Sequence, residues 1–265
     1  MIDVFTFRGT GEPRSGDGTP SGMLADITGR LDVRRFRCRE PEWPAVIGPA
    51  GSPDGWGVSL ETSVAAGTRA GVSAIQESPE PCGLIGYSLG GIVVSRILEG
   101  VRSGEFVNTD GTPLDIAFAV NIANPLRRRG KSVHDLCPGD TFGLHGEHGP
   151  WPDIDIQEYA NPGDIITASR ADSPLRLIND GIAPFSFVEG ARIGDVGFRI
   201  TAQLAQLFAD NPLQNFERFQ RAFTGVVGYL TPWPHGEHVL YSGMPMPGTD
   251  ITWTTHAARH INSTH

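Results

Sequence analysis

The chain has 265 residues, of which 39% are hydrophobic and 19% charged, and this composition excludes a largely disordered protein. Its formal net charge of −9 argues against nucleic acid as a partner, because phosphate binding requires a basic surface. The three cysteines, Cys38, Cys82 and Cys137, are sparse and show no metal-ligand spacing, so we expect free thiols and no disulfide framework. We expect neither a metal nor a cofactor. The length fits one large domain or two small ones, and we expect a single domain over residues 1–265.

Neither the first residues nor any later segment has the features of a targeting or membrane sequence. Residues 1–7 lack the basic start and the long apolar core of a secretory signal. No stretch approaches the roughly 20 apolar residues that a membrane-spanning helix requires. We therefore expect a protein that is made soluble in the cytoplasm, has no transmembrane segment and reaches any other location without a signal peptide.

Predicted strands alternate with predicted helices along the first part of the chain. The strands are expected at residues 2–7, 82–87, 115–122 and 154–159. Helices are expected at residues 59–77, where apolar side chains recur at helical spacing, and from Ile92 to Leu98. Loops rich in glycine and proline are expected at residues 12–22 and 41–58. This alternation predicts an α/β fold with a central, mainly parallel sheet.

A later segment differs from this alternation. Within residues 190–230, apolar side chains recur at steps of three or four, as in Ile200, Leu204, Leu207, Phe208, Phe216, Phe219 and Phe223. This pattern predicts a helical insertion or cap at about residues 175–230, placed before the last histidines. Such a block could form one wall of a groove for a lipid chain, or it could simply pack as core.

The strongest motif is Gly86-Tyr87-Ser88-Leu89-Gly90, which follows one apolar run and precedes another. Strand, tight turn and helix in this order form the nucleophile elbow of α/β-hydrolases, in which the serine is the nucleophile. Small residues are needed two positions before and after the serine because the turn is tight. The alternative is an ordinary turn whose serine caps a helix.

A nucleophilic serine requires a base and an acid that orients the base, and in this fold the acid and then the histidine follow the serine in the chain. Asp164 lies in the turn Asn161-Pro162-Gly163-Asp164 directly after a predicted strand, and we expect it to be the acid. The competing aspartates are Asp140, Asp153, Asp155 and Asp172. Each of these could instead be a solvated turn residue.

The order of the fold favours a late histidine as the base. His238 is the preferred candidate and His235 the alternative, since both lie in a proline- and glycine-rich loop beyond the helical block. The other histidines that follow the serine are His134, His145, His148, His256, His260 and His265. His256 and His260 are spaced for one helix face, but no third metal ligand accompanies them.

The oxyanion formed during acyl transfer requires two N–H donors. One is expected from Leu89, the residue after the nucleophile, and the other from the glycine-rich loop after the first strand. In Arg8-Gly9-Thr10-Gly11, Thr10 is the expected donor. The alternative is that Gly9 and Gly11 only form a turn. A nucleotide-binding site is not expected here, because the loop lacks the glycine and lysine spacing of such sites.

Five segments, in the same order along the chain, resemble the mycobacteriophage lysin B proteins. They are the opening strand and loop (5–13), the elbow (86–94), the segment after the next strand (124–130), the acid loop (159–164) and His238-Val239-Leu240-Tyr241. Cutinases and other cutinase-like esterases share the elbow and the acid loop. Arg8 departs from the histidine expected before Gly-Thr-Gly, and Trp233-Pro234-His235 also resembles a segment of some members.

The resemblance implies an α/β-hydrolase that cleaves the ester between mycolic acids and arabinogalactan and so aids phage-mediated lysis at the host cell envelope. It assigns Ser88, Asp164 and His238 to the catalytic triad. No peptidoglycan-binding region is expected before the first strand, and we expect a monomer. The rival interpretations are a cutinase-like or general lipid esterase and a binding module of the same fold that has lost catalysis.

Overall fold

The computed structural model describes residues 1–47, 57–173, 176 and 237–265. The predicted helical insertion at about residues 175–230 falls outside the described residues except for Arg176, and so does His235. The single-domain organisation with this insertion therefore stays a prediction. The central sheet, the elbow, the acid loop and His238 all lie within the described part.

A five-stranded parallel sheet forms the centre of the fold. Its strands in spatial order are β2 (Phe36–Arg39), β1 (Ile2–Phe7), β3 (Cys82–Tyr87), β4 (Ile116–Ile122) and β6 (Asp155–Tyr159). A separate antiparallel ribbon pairs β5 (Thr141–Phe142) with β7 (Ser169–Arg170). The predicted α/β fold with a mainly parallel sheet is thus confirmed.

Four described helices cover the two faces of the sheet, namely α1 (Gly22–Thr28), α2 (Leu60–Glu77), α3 (Leu89–Ser103) and α4 (Trp253–Thr264). Successive side chains of a strand point to opposite faces, so Phe5 and Phe7 join the core with α2 and α3, whereas Val4 joins the core with α1 and α4. Strands buried on both faces consist of near-continuous apolar runs, as β3 does. No helix in the described ranges is both long enough and apolar enough to cross a membrane.

The arrangement of the strands gathers the loops that matter for function. In a parallel sheet the carboxyl ends of all strands lie at one edge. The register pairs Phe7 with Gly86 and Tyr87 with Ile122, and it continues from Ile122 to Tyr159. The loops that follow β1, β3, β4 and β6 therefore emerge side by side.

The predicted strands and the predicted helix at residues 59–77 agree with the structure to within one residue at each end. Helix α3 begins at Leu89, so the predicted start at Ile92 is wrong, because the elbow turn is completed by Ser88 alone. Helix α1 and strand β2 lie where no element was expected. Both are short, with seven residues in α1 and four in β2, so neither apolar pattern is long enough to distinguish the element from a loop.

The three cysteines are free thiols, as predicted. Cys82 and Cys137 are buried, and Cys38 is partly buried. Burial raises the pKa of Cys38 and of Cys82 to about 11, so both stay protonated at neutral pH. These side chains therefore serve as small packing groups.

Candidate active site

Ser88 is the single residue between the end of β3 and the start of α3. Its backbone has φ 52° and ψ −115°, in a region that residues other than glycine rarely adopt. The Ser88 N–H donates to the Ile122 carbonyl oxygen at 3.0 Å, which ties the turn to strand β4. Strand, strained serine and helix therefore have the geometry of a nucleophile elbow.

The glycines on either side of Ser88 are required by close packing. A Cβ atom at Gly90 would overlap the Phe7 carbonyl oxygen. A Cβ atom at Gly86 would lie 2.6 Å from the Gly90 carbonyl oxygen. The elbow thus fits between the end of β1 and the first turn of α3 only when both positions lack a side chain.

The structure brings Ser88, His238 and Asp164 together in one hydrogen-bonded series. His238 Nε2 lies 2.8 Å from Ser88 Oγ, and His238 Nδ1 lies 2.9 Å from Asp164 Oδ2. An ionised carboxylate only accepts hydrogen bonds, so Nδ1 carries the proton and Nε2 is left to accept from the serine hydroxyl. All three residues are buried.

Asp164 is a buried carboxylate whose two oxygens are both hydrogen-bonded. Besides His238, Oδ2 accepts from the Tyr241 hydroxyl at 2.8 Å, and Oδ1 accepts from the Ile166 N–H at 2.9 Å. A buried charge costs free energy unless it is paired and hydrogen-bonded, and these three donors supply that compensation. The preceding turn is closed by Asn161 Oδ1, which accepts from the Gly163 N–H at 3.0 Å.

His238 lies in a short 3-10 turn, Glu237–Val239, and Tyr87 holds it from one side. The Tyr87 hydroxyl donates to the His238 carbonyl oxygen at 3.0 Å, and the two rings stack with centroids 5.5 Å apart. Asn161 Nδ2 donates to Glu237 Oε2 at 2.5 Å, which links the histidine segment to the acid loop. No sequence pattern indicates these roles of Tyr87 and Glu237, because both depend on contacts with residues distant in the chain.

The two predicted oxyanion donors remain available for a ligand. Leu89 is the first residue of α3, where a backbone N–H has no acceptor within the helix. In the loop after β1, the Gly9 N–H donates to Glu12 Oε2 at 2.8 Å and the Gly11 N–H to the Ala45 carbonyl oxygen at 2.9 Å. Between them, the Thr10 N–H makes no hydrogen bond to any residue of the described chain. The catalytic role of Thr10 and Leu89 stays a prediction.

Glu12 connects this loop to helix α1. Its Oε1 accepts from the Met23 N–H at 2.7 Å, while Oε2 holds Gly9. Burial raises the pKa of Glu12, even though these two hydrogen bonds and the nearby charges of Arg8 and His238 act in the opposite direction. Glu12 therefore lies close to both the loop after β1 and His238.

Arg8, which departs from the histidine expected at its position, is a buried structural residue of the same loop. It forms an ion pair with Glu40 at 2.5 Å and donates to the Trp43 carbonyl oxygen at 2.8 Å. Its Nε also donates to the Glu12 carbonyl oxygen at 3.0 Å. The guanidinium thereby connects the loop after β1 to the segment after β2.

The competing aspartates make other contacts. Asp140 and Asp172 both form ion pairs with Arg170. The Asp140 Oδ2 atom lies 3.1 Å from Arg170 Nη2, and the Asp172 Oδ1 atom lies 3.1 Å from Arg170 Nε. Asp155 Oδ2 lies 2.7 Å from His260 Nε2 and 2.9 Å from His265 Nε2. Asp153 is exposed. Within the described chain, Asp164 is the aspartate that is hydrogen-bonded to His238.

The other described histidines also lie in different surroundings. His256 is bonded through Nδ1 to the Tyr159 hydroxyl at 2.9 Å, and its Nε2 lies 3.3 Å from His134 Nε2. His148 stacks on the Trp151 ring. Burial, and to a smaller extent the positive charge of Arg96, lowers the pKa of His145 to about 4. In the ranges that the structure describes, no group of three or more potential ligands could hold a metal ion.

No family model matches this chain, and no curated protein matches it. Solved structures do match. Lysin B from Mycobacteriophage D29 is 17% identical to this chain. The alignment covers 98% of each of the two chains, with a TM-score of 0.54. The chain has the α/β-hydrolase fold. The predicted resemblance to lysin B is thereby confirmed at the level of the fold.

Two further structures align over smaller parts of the chain. An acetyl xylan esterase is 19% identical over 77% of this chain and 97% of its own, with a TM-score of 0.45. A cutinase-like protein from Cryptococcus sp. is 15% identical over 63% of this chain and 79% of its own, with a TM-score of 0.44.

Proposed function

We propose that this chain is a serine esterase in which Ser88 is the nucleophile, His238 the general base and Asp164 the acid that orients it. The observation that carries the proposal is the pair of hydrogen bonds, 2.8 Å and 2.9 Å long, that joins the three side chains. A serine hydroxyl is a weak nucleophile unless a base accepts its proton, and the base requires a group that holds its tautomer. The strained elbow presents the hydroxyl to that base.

The first half of the reaction transfers the acyl group to the enzyme. The Ser88 Oγ attacks the ester carbonyl carbon while its proton passes to His238 Nε2, and the carbonyl oxygen becomes an oxyanion. The N–H groups of Thr10 and Leu89 stabilise that charge, and in comparable sites one such donor contributes about 3–4 kcal/mol. The carbon–oxygen bond to the alcohol then breaks, and the alcohol leaves with the proton from His238.

The second half releases the acid. Water gives a proton to His238 Nε2 and attacks the acyl-enzyme carbonyl carbon, which again forms an oxyanion. The bond to Ser88 Oγ breaks, and His238 returns its proton to the serine. Asp164 stays ionised throughout and stabilises the imidazolium that forms twice in the cycle.

We further propose that the substrate is the ester between mycolic acids and arabinogalactan in a mycobacterial-type envelope. The five sequence segments that resemble lysin B support this substrate, and the likeness in fold to lysin B over nearly the whole chain is compatible with it. The protein would then be a monomer made in the host cytoplasm that acts at the cell envelope and aids phage-mediated lysis.

The central test compares the chain with its Ser88→Ala variant on a short nitrophenyl ester. We expect kcat to fall by about 10⁴-fold or more, because the group that forms the acyl-enzyme is absent. Ser103→Ala, at the exposed end of the same helix, is the matched control and should retain full activity. A fluorophosphonate should label the unaltered chain and the control but not Ser88→Ala.

The substrate is tested separately on purified mycolyl-arabinogalactan, cutin and triglyceride. Release of mycolic acid that depends on Ser88 supports the proposed substrate. Faster hydrolysis of cutin or triglyceride would instead assign the chain to the cutinase-like or general lipid esterases. Near-normal turnover by Ser88→Ala, or an unaltered chain with neither ester hydrolysis nor labelling, would overturn the serine esterase assignment.

A further inference from the structure

Tyr241 is a buried phenol in direct contact with the proposed catalytic acid. It lies three residues after His238, on the same short segment, and its side chain is fully inaccessible to solvent. Its hydroxyl oxygen is 2.8 Å from Asp164 Oδ2, the carboxylate oxygen that also accepts from His238 Nδ1. The phenol and the imidazole therefore share one acceptor atom.

The direction of the Tyr241 hydrogen bond follows from its second partner. The Asn161 N–H, which can only donate, points to the Tyr241 oxygen at 2.9 Å. The hydroxyl proton is then directed to Asp164. Burial, together with the negative charge of Asp164, raises the pKa of Tyr241 well above its usual value, so the phenol remains a donor over the working pH range.

We propose that Tyr241 is a positioning residue that lowers the proton affinity of the Asp164–His238 pair and so extends catalysis to lower pH. The proposal rests on the serine esterase function only for its kinetic readout. Tyr241 acts through Asp164, because its hydroxyl contacts neither Ser88 nor His238 directly in the hydrogen bonds of the described chain.

The sign of the effect follows from charge. The active pair, with Asp164 ionised and His238 neutral, has a net charge of about −1, whereas the protonated pair is neutral overall. A hydroxyl that donates to Asp164 stabilises the charged, active form more than the protonated form. Removing the hydroxyl should therefore raise the apparent pKa of the pair, wherever the proton resides within it.

Other titratable groups also surround the pair. Glu12, from the loop after β1, is close enough to His238 for their charges to interact, and Cys137 interacts in the same way with Asp164 and Tyr241. Glu237 adjoins His238 and bonds to Asn161, and Arg127 acts on Cys137. All of these groups are retained when only the Tyr241 hydroxyl is removed, so a difference between the two proteins reports that hydroxyl.

The experiment compares Tyr241→Phe with the unaltered chain in the pH dependence of kcat/KM on a nitrophenyl ester. We expect the acidic limb to move upwards by about one pH unit, since a hydrogen bond to a charged group has that order of effect. The matched control is Tyr159→Phe, which also removes a buried hydroxyl, but one bonded to His256. The control should leave the acidic limb of the pH profile at the same pH. If Tyr241 had only a structural role, its substitution would lower kcat/KM by the same factor at all pH values.

A second measurement does not depend on catalysis. In the Ser88→Ala background, an NMR titration of the His238 ring should show a higher midpoint after Tyr241→Phe. In the chain with Tyr241 intact, the Tyr241 hydroxyl proton should be protected from exchange and should shift as the pair titrates, which tests the contact even if the variant fails to fold. Unchanged midpoints, or a Tyr241 proton that exchanges freely, would overturn the proposal. A chain without esterase activity that still shows the NMR shift would overturn only the proposed function.

Discussion

At the residue scale, the notable feature of the site is a buried charge with several partners. Asp164 is almost fully buried, yet it accepts from His238, Tyr241 and the Ile166 N–H. Leaving such a group with fewer partners costs several kcal/mol, because water cannot replace them in the interior. These three donors therefore compensate the burial of the carboxylate beside His238.

The histidine assignment leads to a prediction at this scale. His238→Ala should lower kcat by about 10³-fold or more, because among the described residues no other base lies at hydrogen-bonding distance from Ser88 Oγ. His235→Ala, on the same stretch of chain, is the matched variant and should keep most of the activity. Steady-state kinetics on a nitrophenyl ester measures both, and inactivation by His235→Ala alone would contradict the assignment of His238.

At the element scale, the elbow depends on how closely two strands and a helix approach. Helix α3 begins immediately after Ser88, and its first turn packs on the end of β1 through Gly90. The same approach places the loop with Thr10 beside the N-terminus of α3, where Leu89 offers its N–H. The relative placement of the proposed nucleophile and of the proposed oxyanion donors thus comes from one packing contact.

Gly90→Ala tests this contact. The added methyl group would overlap the Phe7 carbonyl oxygen, so we expect a loss of about 1–3 kcal/mol in the free energy of unfolding and a loss of activity in the folded fraction. Gly139→Ala is the control, because a Cβ atom there would meet nothing within 4 Å. Urea unfolding and ester hydrolysis measure the two effects. A Gly90 variant as stable and active as the Gly139 variant would show that the packing is not required.

At the scale of the whole molecule, the C-terminal helix α4 completes the core on one face of the sheet and supports the site. Trp253 is almost fully buried in α4 and packs on Tyr241, with ring centroids 5.5 Å apart. The Thr254 hydroxyl donates to Asp26 Oδ2 of α1 at 2.6 Å. Residues from both ends of the chain therefore hold the segment that carries His238.

Truncating Trp253 should accordingly affect both stability and activity. Trp253→Ala should lower the free energy of unfolding by about 3–5 kcal/mol, the usual cost of removing a buried aromatic side chain. Trp253→Phe keeps a ring against Tyr241 and should lose less of both. Urea unfolding followed at fixed pH, with activity measured below the transition, distinguishes the variants. A loss of under about 1 kcal/mol for Trp253→Ala would refute this role.

Much of the fold was predictable because its signals are local. Continuous apolar runs predict strands such as β3 and β4, and glycines around Ser88 predict a tight turn. The short elements α1 and β2 gave too weak a pattern, and the start of α3 was misplaced because the glycines after Ser88 suggested a longer turn. In the helix these glycines instead permit close packing.

The sequence by itself determined the candidate catalytic residues. They are a serine in an elbow, then an aspartate in a Pro-Gly turn, then late histidines, in the order that the α/β-hydrolase fold requires. Only the tertiary structure decided that, among the described residues, Asp164 and His238 meet, because they are 74 residues apart in the chain and are joined by one hydrogen bond. It also decided that Arg8 pairs with Glu40 and that Tyr241 shares the carboxylate oxygen with His238. Local patterns arise from backbone geometry and hydrophobicity, whereas these contacts depend on how the loops assemble at one edge of the sheet.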